Sequence, residues 1–217
     1  MKRQFVVIGL GRFGTSVALN LSAIGHEVLV IDKNANAVQS IAHDVTHAVI
    51  ADCRDEEQIK ALGVRNFDVA VVAIGDDIQA SILIALMLKD MGIPYVAAKA
   101  QTALHGRVLE KIGVDRVVYP EKDMGLRLAH SLVTANVLDF IELTPGYSVI
   151  EVLAPSKFKN KSLAELDLRA KYKVSVMAIK RGTDIVIAPG GDEIIQAKDE
   201  LVILAKNDVL KDLQDKD

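Results

Sequence analysis

Through the first 130 residues, short apolar runs rich in β-branched side chains alternate with amphipathic stretches. The runs fall at residues 5–8, 27–31, 48–50, 68–74, 95–98 and 116–118. Six such runs divided by helical spacing predict parallel strands joined by crossover helices. Residues 69–74, Val-Ala-Val-Val-Ala-Ile, are apolar at every position. A strand covered by helices on both faces requires this, so the fourth run is expected near the centre of the sheet. Asp55 ahead of Ile59, and Asp76 and Asp77 ahead of Ile78, mark helix starts, where an acid suits the positive end of the helix dipole.

After residue 134 the texture changes. Residues 147–153 alternate as a half-buried strand, 155–161 read as a polar loop, and 162–169 as a short helix or turn. Further strands are expected at 174–179, 185–187 and 201–204, with Gly182, Pro189, Gly190 and Gly191 at turns. The expected fold class is therefore α/β: a Rossmann-like, doubly wound parallel sheet of six strands over residues 1–134, then a small α+β module over 135–217.

Composition narrows the function classes. The chain has 217 residues, half of them apolar and a quarter charged, and a single cysteine. One cysteine forms no internal disulfide and no Cys/His cluster has zinc-ligand spacing, which disfavours secreted disulfide scaffolds and zinc modules and fits a reducing cytoplasm. The longest apolar run, residues 82–88, is far short of a membrane span, and the N-terminus reads as a strand rather than a leader. Work at a membrane would be peripheral. The net charge is −3, and residues 137–217 hold 12 of the 26 cationic and 14 of the 29 anionic side chains. Neither half is basic, so no nucleic acid polymer is expected as partner.

Gly9-Leu10-Gly11-Arg12-Phe13-Gly14 follows the first strand directly and opens a helix. Glycines at these positions permit the tight turn, the approach of a pyrophosphate to the backbone, and close helix–strand packing. The second strand ends in Asp32, 18 residues beyond Gly14, where a carboxylate can accept both ribose hydroxyls of an adenosine. Arg12 is a cation in the first helical turn and opposes the dipole there, so an anion is expected close by. A nucleotide's terminal phosphate would supply it, in the same site or a neighbouring subunit's.

Other strand ends carry further candidates, since ligands of open parallel sheets sit at the carboxyl ends of the strands. Asp52 can accept from an adenine amino group, and Cys53 beside it reads as a packing residue. Gly75 and Asp76 follow the fourth run; Lys99, suited to phosphate, and Gln101 follow the fifth. His105 is either a satisfied histidine or a ligand. Glu121 is either a helix N-terminal acid or a metal or ribose contact.

A hydride-transferring enzyme needs an acid/base, usually a His paired with a carboxylate, beside a substrate pocket. His26, His43, His47 and His130 show no such pairing, and residues 137–217 contain no histidine. A nucleotide sensor is the stronger reading, with an NAD-dependent oxidoreductase as the alternative. A redox-sensing transcription factor would need a basic helix-turn-helix, which no segment supplies.

Ile8-Gly-Leu-Gly-Arg-Phe-Gly14, Asp32, Ala51-Asp-Cys53, residues 69–75 and Tyr119-Pro-Glu121 together resemble the RCK (regulator of K+ conductance) domain. Asn160-Lys-Ser-Leu-Ala-Glu-Leu166, Leu168-Arg169, Ala178-Ile-Lys-Arg-Gly182 and Ala188-Pro189 are similar to its C-terminal module. The glycine loop is common to Rossmann proteins, so specificity lies in the two halves in this order. Over its whole length the chain resembles the cytosolic gating subunits of bacterial Ktr/Trk-type potassium uptake systems.

The resemblance implies a non-enzymatic regulatory subunit, peripheral to the inner face of the cell membrane. It implies dimers stacked into an octameric ring beneath a membrane-embedded K+ transporter subunit. ATP or ADP, and in some members NAD(H), would occupy the Rossmann cleft. Carried over by position, the contacts are Gly9, Gly11, Arg12, Phe13, Gly14, Asp32, Lys33, Asn34, Asp52, Cys53, Ile74, Gly75, Asp76, Lys99, Ala100, Gln101, His105 and Glu121. Glu121 would also help hold an activating cation at the dimer interface. In the C-terminal module the resemblance implies cyclic di-AMP between two copies, against Leu163, Arg169, Lys171, Val174, Ser175, Val176 and Pro189, with Arg169 on phosphate.

Overall fold

Strands with fully apolar interiors and side-chain-capped helices alternate along the first 120 residues. The computed structural model describes residues 2–133 and 137–209. The order is β1 (Gln4–Ile8), α1 (Arg12–Ala23), β2 (Glu27–Asp32), α2 (Ala35–Ile41), β3 (His47–Ile50), α3 (Glu56–Ala61), β4 (Val69–Val72), α4 (Ile78–Asp90), β5 (Tyr95–Lys99), α5 (Ala103–Lys111) and β6 (Arg116–Val118). All six strands pair in parallel in the order β3-β2-β1-β4-β5-β6. The doubly wound sheet read from the sequence is thus present, and β4, buried at all four positions, lies at its centre beside β1.

Alternation along the strands divides the core between the two faces. Val6 and Ile8 of β1 join Ile31, Ile84, Leu88 and Leu109 on one side. Val7 joins Ala18, Val28, Val30 and Ile41 on the other. Within residues 1–120, four helices begin at a polar side chain that accepts from backbone amides: Asn34 for α2, Asp55 for α3, Asp77 for α4 and Thr102 for α5. α1 is the exception. Its cap is Gly11, which contributes no side-chain hydrogen bond, so among the described residues no side chain caps the first amides of α1.

The chain divides into two compact units, Met1–Pro120 and Glu121–Asp217. The boundary expected between residues 134 and 135 lies outside the described residues, and the division into compact units falls after Pro120, the first residue of α6 (Pro120–Val133). Arg127 of α6 makes a two-pronged bond to Asp139. The second unit continues with β7 (Val137–Thr144), β8 (Tyr147–Leu153), α7 (Leu163–Leu166), α8 (Leu168–Tyr172), β9 (Ser175–Arg181), β10 (Asp184–Ile187) and β11 (Glu200–Lys206). Its antiparallel sheet runs β10-β9-β11-β8-β7 over a core that includes Phe140, Ile150, Ile179 and Leu201.

β7 was not read from the pattern. Its register against β8 shifts between Val137 and Asp139 and again between Glu142 and Thr144, and two irregularities in eight residues erase the period of two. The segment expected as one short helix or turn is two helices, broken where Asp167 takes φ 44°. Among the described residues, no helix is long and apolar enough to cross a membrane.

Candidate functional site

A cavity of about 340 Å3 opens at the carboxyl ends of β1, β2, β3 and β4, where the strand order reverses between β1 and β4. Ligands of open parallel sheets bind at this switch point. The β1–α1 loop forms one wall through Gly9, Leu10 and Gly11; Gly9 has φ +96°, open to glycine at no steric cost. Beneath it, a Cβ on Gly14 would lie 1.9 Å from the Gly9 carbonyl oxygen. Gly14 therefore lets α1 approach the loop and does not itself line the cavity.

Asp32, Lys33 and Asn34 supply the second wall. The Asp32 carboxylate is already engaged: Oδ2 accepts from Leu10 N at 2.5 Å and Oδ1 from Asn34 N at 2.8 Å. It joins the glycine loop to the end of β2 and still faces the cavity. Asp52, Cys53 and Arg54 close the third side, and Ile74, Gly75, Asp76 and Asp77 the fourth. Hydrogen bonding from the Arg54 side chain, more than any other influence, lowers the Asp52 carboxyl to about 2. Cys53 is 5% exposed, and burial, with the charges of Asp52 and Asp32, pushes its thiol up to about 12. A thiol so held packs in the core and makes a poor nucleophile.

Four carboxylates (Asp32, Asp52, Asp76, Asp77) and two cations (Lys33, Arg54) line this cavity, with Ala51, Ala80 and Ile84 among its apolar surface. An uncharged group with hydrogen-bond donors, such as a nucleoside, suits it better than a polyphosphate. Phosphates are better matched by the uncapped amides at the start of α1.

Several expected residues stand back from the lining. Arg12 is exposed at the first position of α1, and Phe13 packs half-buried on the α1 side of the sheet. Lys99 approaches the rim: its Nζ would be 3.3 Å from a Cβ on Gly75. Ala100 is buried in the core. Gln101 donates its backbone N–H to His105 Nδ1 at 3.3 Å, and His105 is 2% exposed, its Nε2 without a hydrogen-bond partner. Burial lowers the His105 pKa, and the ring accepts a hydrogen bond at one nitrogen. Glu121 belongs to the second unit. Among the described residues, no group of three or more His, Cys, Asp or Glu side chains converges as a metal site.

Arg54 and Asp77 were missed as site residues. Asp77 was legible only as a helix start, and Arg54 could have been found as a base two positions beyond an acid at a strand end.

The second unit holds a cavity of about 260 Å3. Leu163, Arg169, Val174, Ser175, Val176 and Pro189 all line it, together with Ala164, Asp167 and Leu168. Lys171 is exposed and outside the lining. Asp167 was not anticipated; it sits at the left-handed joint between α7 and α8, and it places an anion two residues from Arg169.

Comparison with known proteins places the chain. The TrkA-N domain family matches residues 5–120 and the TrkA-C domain family residues 148–216. The chain is 48% identical over 208 residues to Ktr system potassium uptake protein A of Bacillus subtilis (strain 168), covering 95% of this chain and 94% of that protein. Protein C of the same strain is 46% identical, covering 94% and 92%, and protein A of Vibrio alginolyticus 37%, covering 96% and 94%. In fold it resembles the GsuK RCK domain (TM-score 0.54, 22% identity, 96% of this chain and 45% of that one). The GsuK channel bound to NAD gives a TM-score of 0.56 at 21% identity, over 98% of this chain and 38% of that one.

Proposed function

The chain belongs to the family of proteins built from TrkA-N and TrkA-C domains, the RCK regulatory subunits of potassium uptake systems, and from that premise we propose that it is a nucleotide-responsive gating subunit. An adenine nucleotide, ATP or ADP with NAD(H) second, occupies the cavity at the sheet's switch point. The carrying observation is the pairing of that cavity with Asp32 at the ribose end and the uncapped start of α1 at the phosphate end. Leu10 N and Asn34 N hold the Asp32 carboxylate in place before a ligand arrives. Adenine lies toward Asp52, and phosphates run over Gly11 toward Arg12 and Lys99. Glu121 takes part in holding a cation where two copies meet.

The second cavity takes cyclic di-AMP, with Leu163, Val174, Val176 and Pro189 against adenine and Arg169 against phosphate. The two ligands set the shape of a homo-oligomeric ring, an octamer, lying on the cytoplasmic face of the membrane under an embedded K+ transporter subunit. Burial pushes the Cys53 thiol up to about 12 and His105 stands back from the lining, which supports a regulatory role over hydride transfer.

Light scattering on the purified protein, with a thermal-shift panel of ATP, ADP, NADH and cyclic di-AMP, tests this reading. A large ring stabilised by adenine nucleotides and by cyclic di-AMP is expected. A small species stabilised by NADH alone would return the oxidoreductase.

A further inference from the structure

Arg54 grips Asp52 at both carboxylate oxygens. Its Nε lies 3.0 Å from Oδ1 and 3.1 Å from Oδ2, its Nη2 is 2.5 Å from Oδ2, and its backbone N–H donates to Oδ1 at 3.1 Å. Both residues line the first cavity. A planar guanidinium fork on a carboxylate fixes its orientation in a way that a flexible ammonium does not. Two other carboxylates of the lining have tasks of their own: Asp32 accepts from two loop amides, and Asp77 caps α4 through Ala80 N.

A fixed, ionised carboxylate only accepts hydrogen bonds. It therefore favours a base presenting an exocyclic amino group and disfavours one presenting a keto oxygen at the same place. The low Asp52 pKa keeps this acceptor ionised at neutral pH. Resting on the nucleotide reading above, we propose that Arg54 is a positioning residue for base selectivity: it holds the Asp52 carboxylate so that the cavity takes 6-aminopurine nucleotides in preference to 6-oxopurine ones.

The test is calorimetric titration of the full chain with ATP and with ITP, which carries a keto oxygen where ATP carries the amino group. Wild type should prefer ATP by about tenfold or more. Arg54→Ala should lower that ratio about fivefold by weakening ATP while leaving ITP unchanged, and Arg54→Lys should restore part of it. The pair is half exposed, so the nucleotide-free melting temperature of Arg54→Ala should stay within about 1 °C of wild type, which separates the effect from misfolding. An unchanged ratio in Arg54→Ala beside a reduced one in Asp52→Ala would mean that Asp52 reads the base unaided, and would overturn the proposal. ATP binding more tightly to Arg54→Ala would overturn it too, because the ion pair would then compete with the ligand. If both variants keep the wild-type ratio and still bind ATP, the nucleotide reading survives and this proposal does not. A wild-type protein that binds neither triphosphate removes both.

Discussion

At the scale of single residues, two positions show how tightly side-chain identity is set by what lies next to it. Gly14 has no room for a methyl group, because the obstacle 1.9 Å from its Cβ position is the Gly9 backbone carbonyl and not a movable side chain. Gly14→Ala should push α1 off the β1–α1 loop, cost about 3 kcal/mol in urea unfolding and abolish nucleotide-induced thermal shifts. Asp199 is the second case: 1% exposed, it takes two bonds from Arg181, at 3.0 and 2.9 Å, and one from Gln196 N at 2.8 Å. Burial alone would raise its pKa, but Arg181 and the Gln196 amide outweigh burial and the net shift is downward. A depressed folded-state pKa gives stability that is present above the unfolded value, near pH 4, and is lost as pH falls through the folded value. Arg181→Met should therefore destabilise the second unit by about 3 kcal/mol at pH 7, and its stability should fall less steeply than wild type as pH drops below about 4. Denaturant melts at stepped pH measure both effects.

At the scale of elements, legibility followed periodicity. β4 and its neighbours were readable because a strand buried on both faces leaves an unbroken apolar run, and α3 and α4 because Asp55 and Asp77 announce them. β7 was hidden by its two register shifts, and the α7–α8 joint by a left-handed Asp167 that no local pattern marks. The glycine loop and Asp32 in the cavity wall were legible, since the glycine spacing marks a tight strand-to-helix turn and the acid stands at the end of the next strand. The place of Arg54 in that lining was not, since it comes with a side-chain pairing to Asp52 across one intervening residue. Helix α7 shows what such local pairings do for a site. Ser162 and Glu165 form a reciprocal capping box that sets the start of a four-residue helix, and Leu163 and Ala164 from that helix line the second cavity. So short a helix has little propensity to form alone. Ser162→Ala should cost about 1 kcal/mol of stability and weaken cyclic di-AMP binding several-fold, with ATP affinity unchanged; calorimetry with each ligand separates these outcomes.

At the scale of the whole molecule, the two units carry separate cores and separate cavities, so a ligand in either cavity would act first on the unit that holds it. A ligand at a hundredfold excess over its Kd stabilises its unit by about 2.7 kcal/mol. Regulation asks for more than tight binding. A nucleotide shifts the shape of an assembly only by its difference in affinity for the two shapes, and couplings of about 1–3 kcal/mol correspond to roughly 5- to 150-fold. ATP and ADP share the adenosine that the first cavity would hold, so any difference between them must come from the last phosphate and from groups outside the lining. Arg12 fits that description: it is exposed at the uncapped start of α1, beside the glycine wall of the cavity and not within it. Arg12→Ala should accordingly narrow the ATP-to-ADP affinity ratio to near one while ADP affinity changes less than threefold, both read by calorimetry on the assembled protein. Equal losses for the two nucleotides would make Arg12 a general phosphate contact, and the discrimination on which gating depends would have to be carried by another residue.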